Sequence, residues 1–145
     1  MTPARLLTVS VVMIVASNLL YHVAQKSIPA DANPLLSVAV TYAAALLVTL
    51  LLWPLAPGGA PKLAGLAKLN WATIGVGVAA VGIEIGFLLA YRAGWNISVG
   101  SLVVSVAVAI LLLPTGLLLY REHLSAANVA GIVLCLAGLV LVMRN

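Results

Sequence analysis

Apolar residues run in long blocks along this chain, and nearly every charged residue falls between the blocks. The blocks are about 20 residues long, the length of helix that crosses a hydrocarbon core of roughly 30 Å. The pattern predicts five helices, over 6–25, 34–54, 70–91, 97–120 and 125–143. The breaks carry the expected punctuation. Asn33-Pro34 reads as an N-cap followed by proline in the first turn. Pro54, Pro57, Gly58, Gly59 and Pro61 cannot continue a helix and mark the longest loop. Lys62 to Lys68 reads as a short surface helix with Leu63 and Leu66 turned toward lipid. Asn70 and Ser125 are caps, Ala93-Gly94-Trp95-Asn96 is a tight turn, and Arg121-Glu122-His123 interrupts before the last helix. Trp53, Trp71 and Trp95 all fall at span ends, where amphipathic rings prefer the headgroup level.

Composition agrees with this pattern. Hydrophobic residues make up 64% of the chain and charged residues 7%, whereas a soluble domain carries about 25% charged residues. The expected fold is all-α, a polytopic membrane protein forming one transmembrane domain over residues 1–145. A formal charge of +4 spread thinly over the chain forms neither a nucleic-acid patch nor a basic run that recruits anionic lipid. Arg5 and the apolar stretch after it start as a signal peptide does. That stretch runs about 20 residues with no small-residue cleavage pattern, so it is read as a retained first helix. Cys135 has no partner cysteine and is read as a packing residue.

Five spans put the two ends of the chain on opposite sides. One side collects Arg5, Lys62, Lys68 and Arg121, and the other Lys26, Arg92 and Arg144. Orientation follows the lysine and arginine bias of short loops, and here that bias is almost nil. Two readings follow: one orientation with a cytoplasmic N-terminus, or insertion both ways and assembly as an antiparallel dimer around a midplane site.

Glu84 is the one acid inside an apolar run; Asp31 and Glu122 lie between runs. Ionisable residues within spans are rare and mark substrate or proton pathways. On the same helix Gly75, Ala79, Gly82, Gly86 and Ala90 form a small-residue stripe that lets another backbone approach closely. Glu84 sits about 200° around from Gly82, on a face shared with Gly77, Ala80, Leu88 and Tyr91. A helix occupied on both faces is expected to be central. Glu84 is either a neutral, hydrogen-bonded structural acid or a group that exchanges a proton or binds a cationic substrate as access alternates; the second reading is preferred.

Other polar groups at helical spacing are candidates to line the same cavity. The first helix offers Ser10, Ser17, Asn18, Tyr21, His22 and Gln25, with Asn18 and Tyr21 ranked first because a deep amide needs a partner. His22, near the end of its span, is expected to be interfacial, and His123 a solvated corner residue. The second helix offers Ser37, Thr41 and Tyr42, and the fourth Ser98, Ser101 and Ser105. Metal-ligand spacing, phosphate loops and nucleophile triads are absent from the sequence, and Gly75-Val76-Gly77 lacks the strand and loop of a nucleotide fingerprint. Neither a cofactor nor an enzymatic activity is expected.

Tyr91-Arg92-Ala93-Gly94, a small-residue helix, and Leu119-Tyr120-Arg121-Glu122-His123-Leu124-Ser125 precede Gly131 and Gly138 of the last helix. Together with Ser17-Asn18 and Lys26, this order resembles the EamA-type five-helix repeat of the drug/metabolite transporter superfamily, over nearly the whole chain. Glu122, Leu124, Ser125, Gly131 and Gly138 match its Glu-x-Leu-Ser corner and the glycines of its fifth helix. One departure is that Ala109 stands where the fourth-helix proline is usual, and the proline here is Pro114. In longer members the repeat occurs twice in opposite orientations, so the resemblance implies a half-transporter completed by dimerisation.

These expectations amount to a small inner-membrane secondary transporter, read as an exporter of a small organic metabolite or cation. It would work as a homodimer by alternating access, with lipid and a small-molecule substrate as its other partners. Its substrate or proton-coupling residues would be Glu84, Asn18, Tyr21, Tyr42, Ser101 and Ser105, and its packing glycines Gly75, Gly82, Gly86, Gly131 and Gly138. The rival readings are an accessory subunit or lipid flippase component, and a structural membrane protein without cargo.

Overall fold

A computed structural model of the chain describes residues 2–56, 63–121, 123 and 125–143. Glu122 and Leu124 of the Glu-x-Leu-Ser corner lie outside the described residues, as do Lys62 and Arg144. The described residues form α1 (Pro3–Ser27), α2 (Pro34–Leu52), α3 (Trp71–Arg92), α4 (Ile97–Leu119) and α5 (Ala126–Met143). Short 3-10 helices follow α2 at Trp53–Leu55 and precede α3 at Leu63–Lys68. There is no strand among them.

Four helices are long and apolar enough to cross a membrane, the pattern of a multi-pass membrane protein: α1, α2 with its 3-10 extension, α3 and α4. The fifth, expected over 125–143 and found at Ala126–Met143, is the shortest of the five, with its apolar part over Ala126–Val142. The 18 residues of α5 rise roughly 27 Å, against about 35 Å for the 23 residues of α4.

The helix starts follow local chemistry. Asn33 Oδ1 accepts the N–H groups of Leu35 and Leu36 at 2.9 and 3.1 Å, with Pro34 in the first turn. Such a cap is worth about 1 kcal/mol. Asn70 Oδ1 accepts from Ala72 N–H at 3.0 Å, and Ser125 Oγ from Asn128 N–H at 3.2 Å. Between α3 and α4, Gly94 takes φ 95°, a left-handed conformation that suits a residue without Cβ.

The chain divides into two compact units, Ala24–Arg92 and Met1–Val23 with Ala93–Asn145. Within Ala24–Arg92, α2 packs on α3. This unit holds Val38, Leu88 and Tyr91, the buried apolar side chains among the described residues. In lipid, packing and hydrogen bonds rather than escape from water hold helices together, so a small buried set is consistent with a membrane-spanning pair.

Within the other unit, α4 packs on α5, and Gly100 and Gly116 of α4 are buried. The α4 helix continues through Pro114, whose missing N–H leaves the Ile110 carbonyl without its helical donor. After the C-cap Tyr120, Arg121 adopts φ 52°, a left-handed position usually taken by glycine or asparagine.

Candidate functional site

The centre of the candidate site is Glu84, on the fourth turn of α3. It stands roughly 20 Å along the axis from Trp71 and 12 Å from Arg92. The residue is half-buried, and its face of α3 is the packed one: Ala80 is half-buried, Leu88 is 1% exposed and Tyr91 5%. Two other elements reach it. Gln25, in the last turn of α1, donates from Nε2 to the Glu84 backbone carbonyl at 2.6 Å. Tyr42 of α2 is half-buried and within electrostatic reach of the same carboxylate. An acid, an amide and a phenol from three helices thus meet in one unit. They offer a carboxylate that can hold a cation or a proton, flanked by groups that can donate to it.

The remaining predicted groups of α2 lie elsewhere. Ser37 and Thr41 line a cavity of about 390 Å³ beside the α1–α2 loop, which neither Glu84 nor Tyr42 lines. Their hydroxyls donate to carbonyls of the turn before, Asn33 at 3.0 Å and Ser37 at 3.0 Å. Serine and threonine in apolar helices commonly bond in this way.

Asn18, Tyr21, Ser101 and Ser105 belong to the other unit. Asn18 is exposed on the surface of the described residues. Tyr21 is half-buried with its ring 5.0 Å from that of His22, which is itself buried. Ser101 Oγ donates to the Ile97 carbonyl at 2.8 Å, satisfying it within its own helix, and Ser105 is exposed. Cys135, expected to be a packing residue, is an exposed thiol on α5, and His123 is exposed as a corner residue.

The glycine stripe of α3 is open within its own unit. A Cβ built at Gly82 or Gly86 meets nothing within 4 Å, and one at Gly75 meets only the ring of Trp71, one turn earlier in α3. The same openness holds at Gly131 and Gly138 of α5. Within Ala24–Arg92 the acid face of α3 is packed and its glycine face is free to take a further helix, the approach that small residues permit.

Sequence reasoning gave no site role to Lys26 and Arg92, treating both only as topology signals. Lys26 Nζ donates to the Tyr91 carbonyl at 3.2 Å and lies 5.4 Å from the centre of the Tyr91 ring. Arg92 Nη2 donates to the Pro29 and Ala32 carbonyls at 3.1 and 2.8 Å, fixing the α1–α2 loop against the end of α3. The cation at the end of α3 also meets the negative end of its helix dipole. Gln25 was among the first-helix candidates, on one stripe with Asn18, Tyr21 and His22 at three- and four-residue steps, though ranked below Asn18 and Tyr21. No family model, curated protein or solved structure matches the chain.

Proposed function

We propose that this protein is a small secondary transporter of a small organic metabolite or cation, with Glu84 as the group that binds the cargo or exchanges its proton. The carrying observation is the meeting of Glu84, Gln25 and Tyr42 in the middle of an apolar helix packing. An intramembrane acid with partners on two other helices is the arrangement expected of a coupling site rather than of a lipid-facing surface. The resemblance to the EamA-type repeat supports the same reading: five spans with α5 as the last, residence in the inner membrane, and export by alternating access. The open glycine faces at Gly82, Gly86, Gly131 and Gly138 favour a homodimer, and the near-balance of lysine and arginine favours an antiparallel one.

The same open faces favour a second reading, in which the partner is a different protein and this chain is an accessory subunit or lipid flippase component. Purified protein reconstituted alone in liposomes separates the two, since the carrier works without a second gene product. In such liposomes Glu84→Gln keeps the side-chain volume and removes the titrating proton. The expected result is loss of coupled uptake with insertion intact, and an unchanged pH dependence of transport in that variant would falsify the coupling role.

A further inference from the structure

Apart from the Glu84 cluster, the ends of α1 and α3 enclose a cavity of about 160 Å³ walled by Gln25, Lys26, Leu88, Tyr91 and Arg92 among others. A water molecule takes about 30 Å³ of liquid, so this space admits a group of several heavy atoms. Two cations share the wall and no carboxylate does; Asp31, the acid of the adjacent loop, is exposed and outside it. Like charges that face one cavity repel each other. Stapling of the loop accounts for Arg92 Nη2, which has its two carbonyl acceptors. It does not account for Arg92 Nε, a buried N–H with no acceptor among the described residues. A buried donor left in this way is unfavourable. An oxyanion in the cavity would relieve both the repulsion and the unmet donor.

The chemistry of the wall narrows the choice of anion. A guanidinium presents its N–H groups in a fork matched to phosphate or carboxylate oxygens, and an ammonium adds a compact point charge. Lys26 is in the last turn of α1 and Arg92 in the last turn of α3. Span ends lie at headgroup depth, where the abundant oxyanion is phosphate. We propose that this cavity binds a phosphate group, with Lys26 and Arg92 as its cationic ligands, supplied either by an anionic lipid headgroup or by a soluble phosphate.

The test uses the full chain in detergent. Its thermal unfolding midpoint is followed while phosphatidic acid, phosphatidylcholine or inorganic phosphate is titrated in. Wild type should be stabilised by phosphatidic acid well beyond phosphatidylcholine. Stabilisation by inorganic phosphate as well assigns the site to the free anion, and stabilisation by the lipid alone assigns it to a headgroup; either supports the proposal. Lys26→Gln should weaken binding by about tenfold, the weight of one charge-assisted hydrogen bond, and Lys26→Arg should retain most of it. Lys68→Gln, which removes an exposed cation outside the cavity, should bind as wild type does. Equal stabilisation by phosphatidylcholine, or equal weakening in Lys68→Gln, overturns the proposal. If Lys26→Gln does not fold, the wild-type comparison of the two lipids decides alone.

Discussion

Hydroxyl side chains turn back on their own helices in both units of this chain, whereas amide and charged side chains of Ala24–Arg92 bond distant segments. In Ala24–Arg92, polar side chains bridge segments far apart in sequence: Gln25 to Glu84, Lys26 to Tyr91, and Arg92 to Pro29 and Ala32. In the other unit the hydroxyls turn back on their own helices. Thr8 donates to the Ala4 carbonyl, Ser10 to Leu6, Ser101 to Ile97 and Thr115 to Leu111. A hydroxyl satisfied one turn back needs no neighbour, so it sits at no cost on a face toward lipid. An amide, an ammonium or a carboxylate at that depth has to find a partner on another element. The difference teaches where chemistry can reside: polar groups that reach across helices define the site, and polar groups that close on themselves do not.

The sharpest way to break this comparison is to set Glu84→Gln against Ser101→Ala and Ser105→Ala in reconstituted transport. The first should abolish coupled uptake, while each serine variant should stay within about twofold of wild type, the small effect expected away from a site. A serine variant as damaging as Glu84→Gln would place the working groups in both units.

A stability measurement probes the same contrast. Gln25→Leu leaves the backbone carbonyl of Glu84 without its amide donor and should lower unfolding stability by about 1–3 kcal/mol in a denaturing-detergent titration. No loss would mean that water or lipid replaces the amide without penalty.

The glycine face offers a third test. Gly82→Leu meets open space within the chain, so monomer helicity and expression should be unchanged. Light scattering should instead show loss of the dimer, because a large side chain holds apart helices that approach over small residues. A dimer that survives Gly82→Leu moves the interface to another face. The smallest effect is expected at Thr115→Val, where only a bond to the preceding turn is lost. Its stability should stay within about 0.5 kcal/mol of wild type, and a larger drop would mean that the hydroxyl supports the proline-interrupted turn of α4.

Much of the helical framework was legible in the sequence, because apolar block length and caps are local signals. Asn33, Asn70 and Ser125 all accept the backbone N–H groups expected of caps. The extent of α5 was legible as well, since the cap at Ser125 and the end of the apolar run bound it to within a residue of Ala126–Met143. Glu84 stood out by chemistry alone, whereas Tyr42 and Gln25 were candidates among many polar groups at helical spacing. Periodicity places Gln25 and Asn18 on the same stripe of α1 but cannot say which end of that stripe meets α3. The glycine stripe shows the converse limit: small residues permit close approach, yet among the described residues of Ala24–Arg92 nothing approaches Gly82 or Gly86. Lys26 and Arg92 read as topology signals because a basic residue at a span end serves that purpose by default, and only the fold reveals that they meet in one cavity.

The clasp of Arg92 on the α1–α2 loop also sets an order of events during synthesis. Its acceptors, Ala32 and Pro29, precede it by 60 and 63 residues. At about 5–20 residues per second of translation, roughly 3–12 seconds separate emergence of the loop from emergence of the side chain that closes it. Through that interval the Pro29 and Ala32 carbonyls lack the guanidinium that later binds them. The loop takes its final form only when the third helix has been delivered to its end, so Arg92 acts as the latch by which the ribosome's last contribution to this unit closes its first.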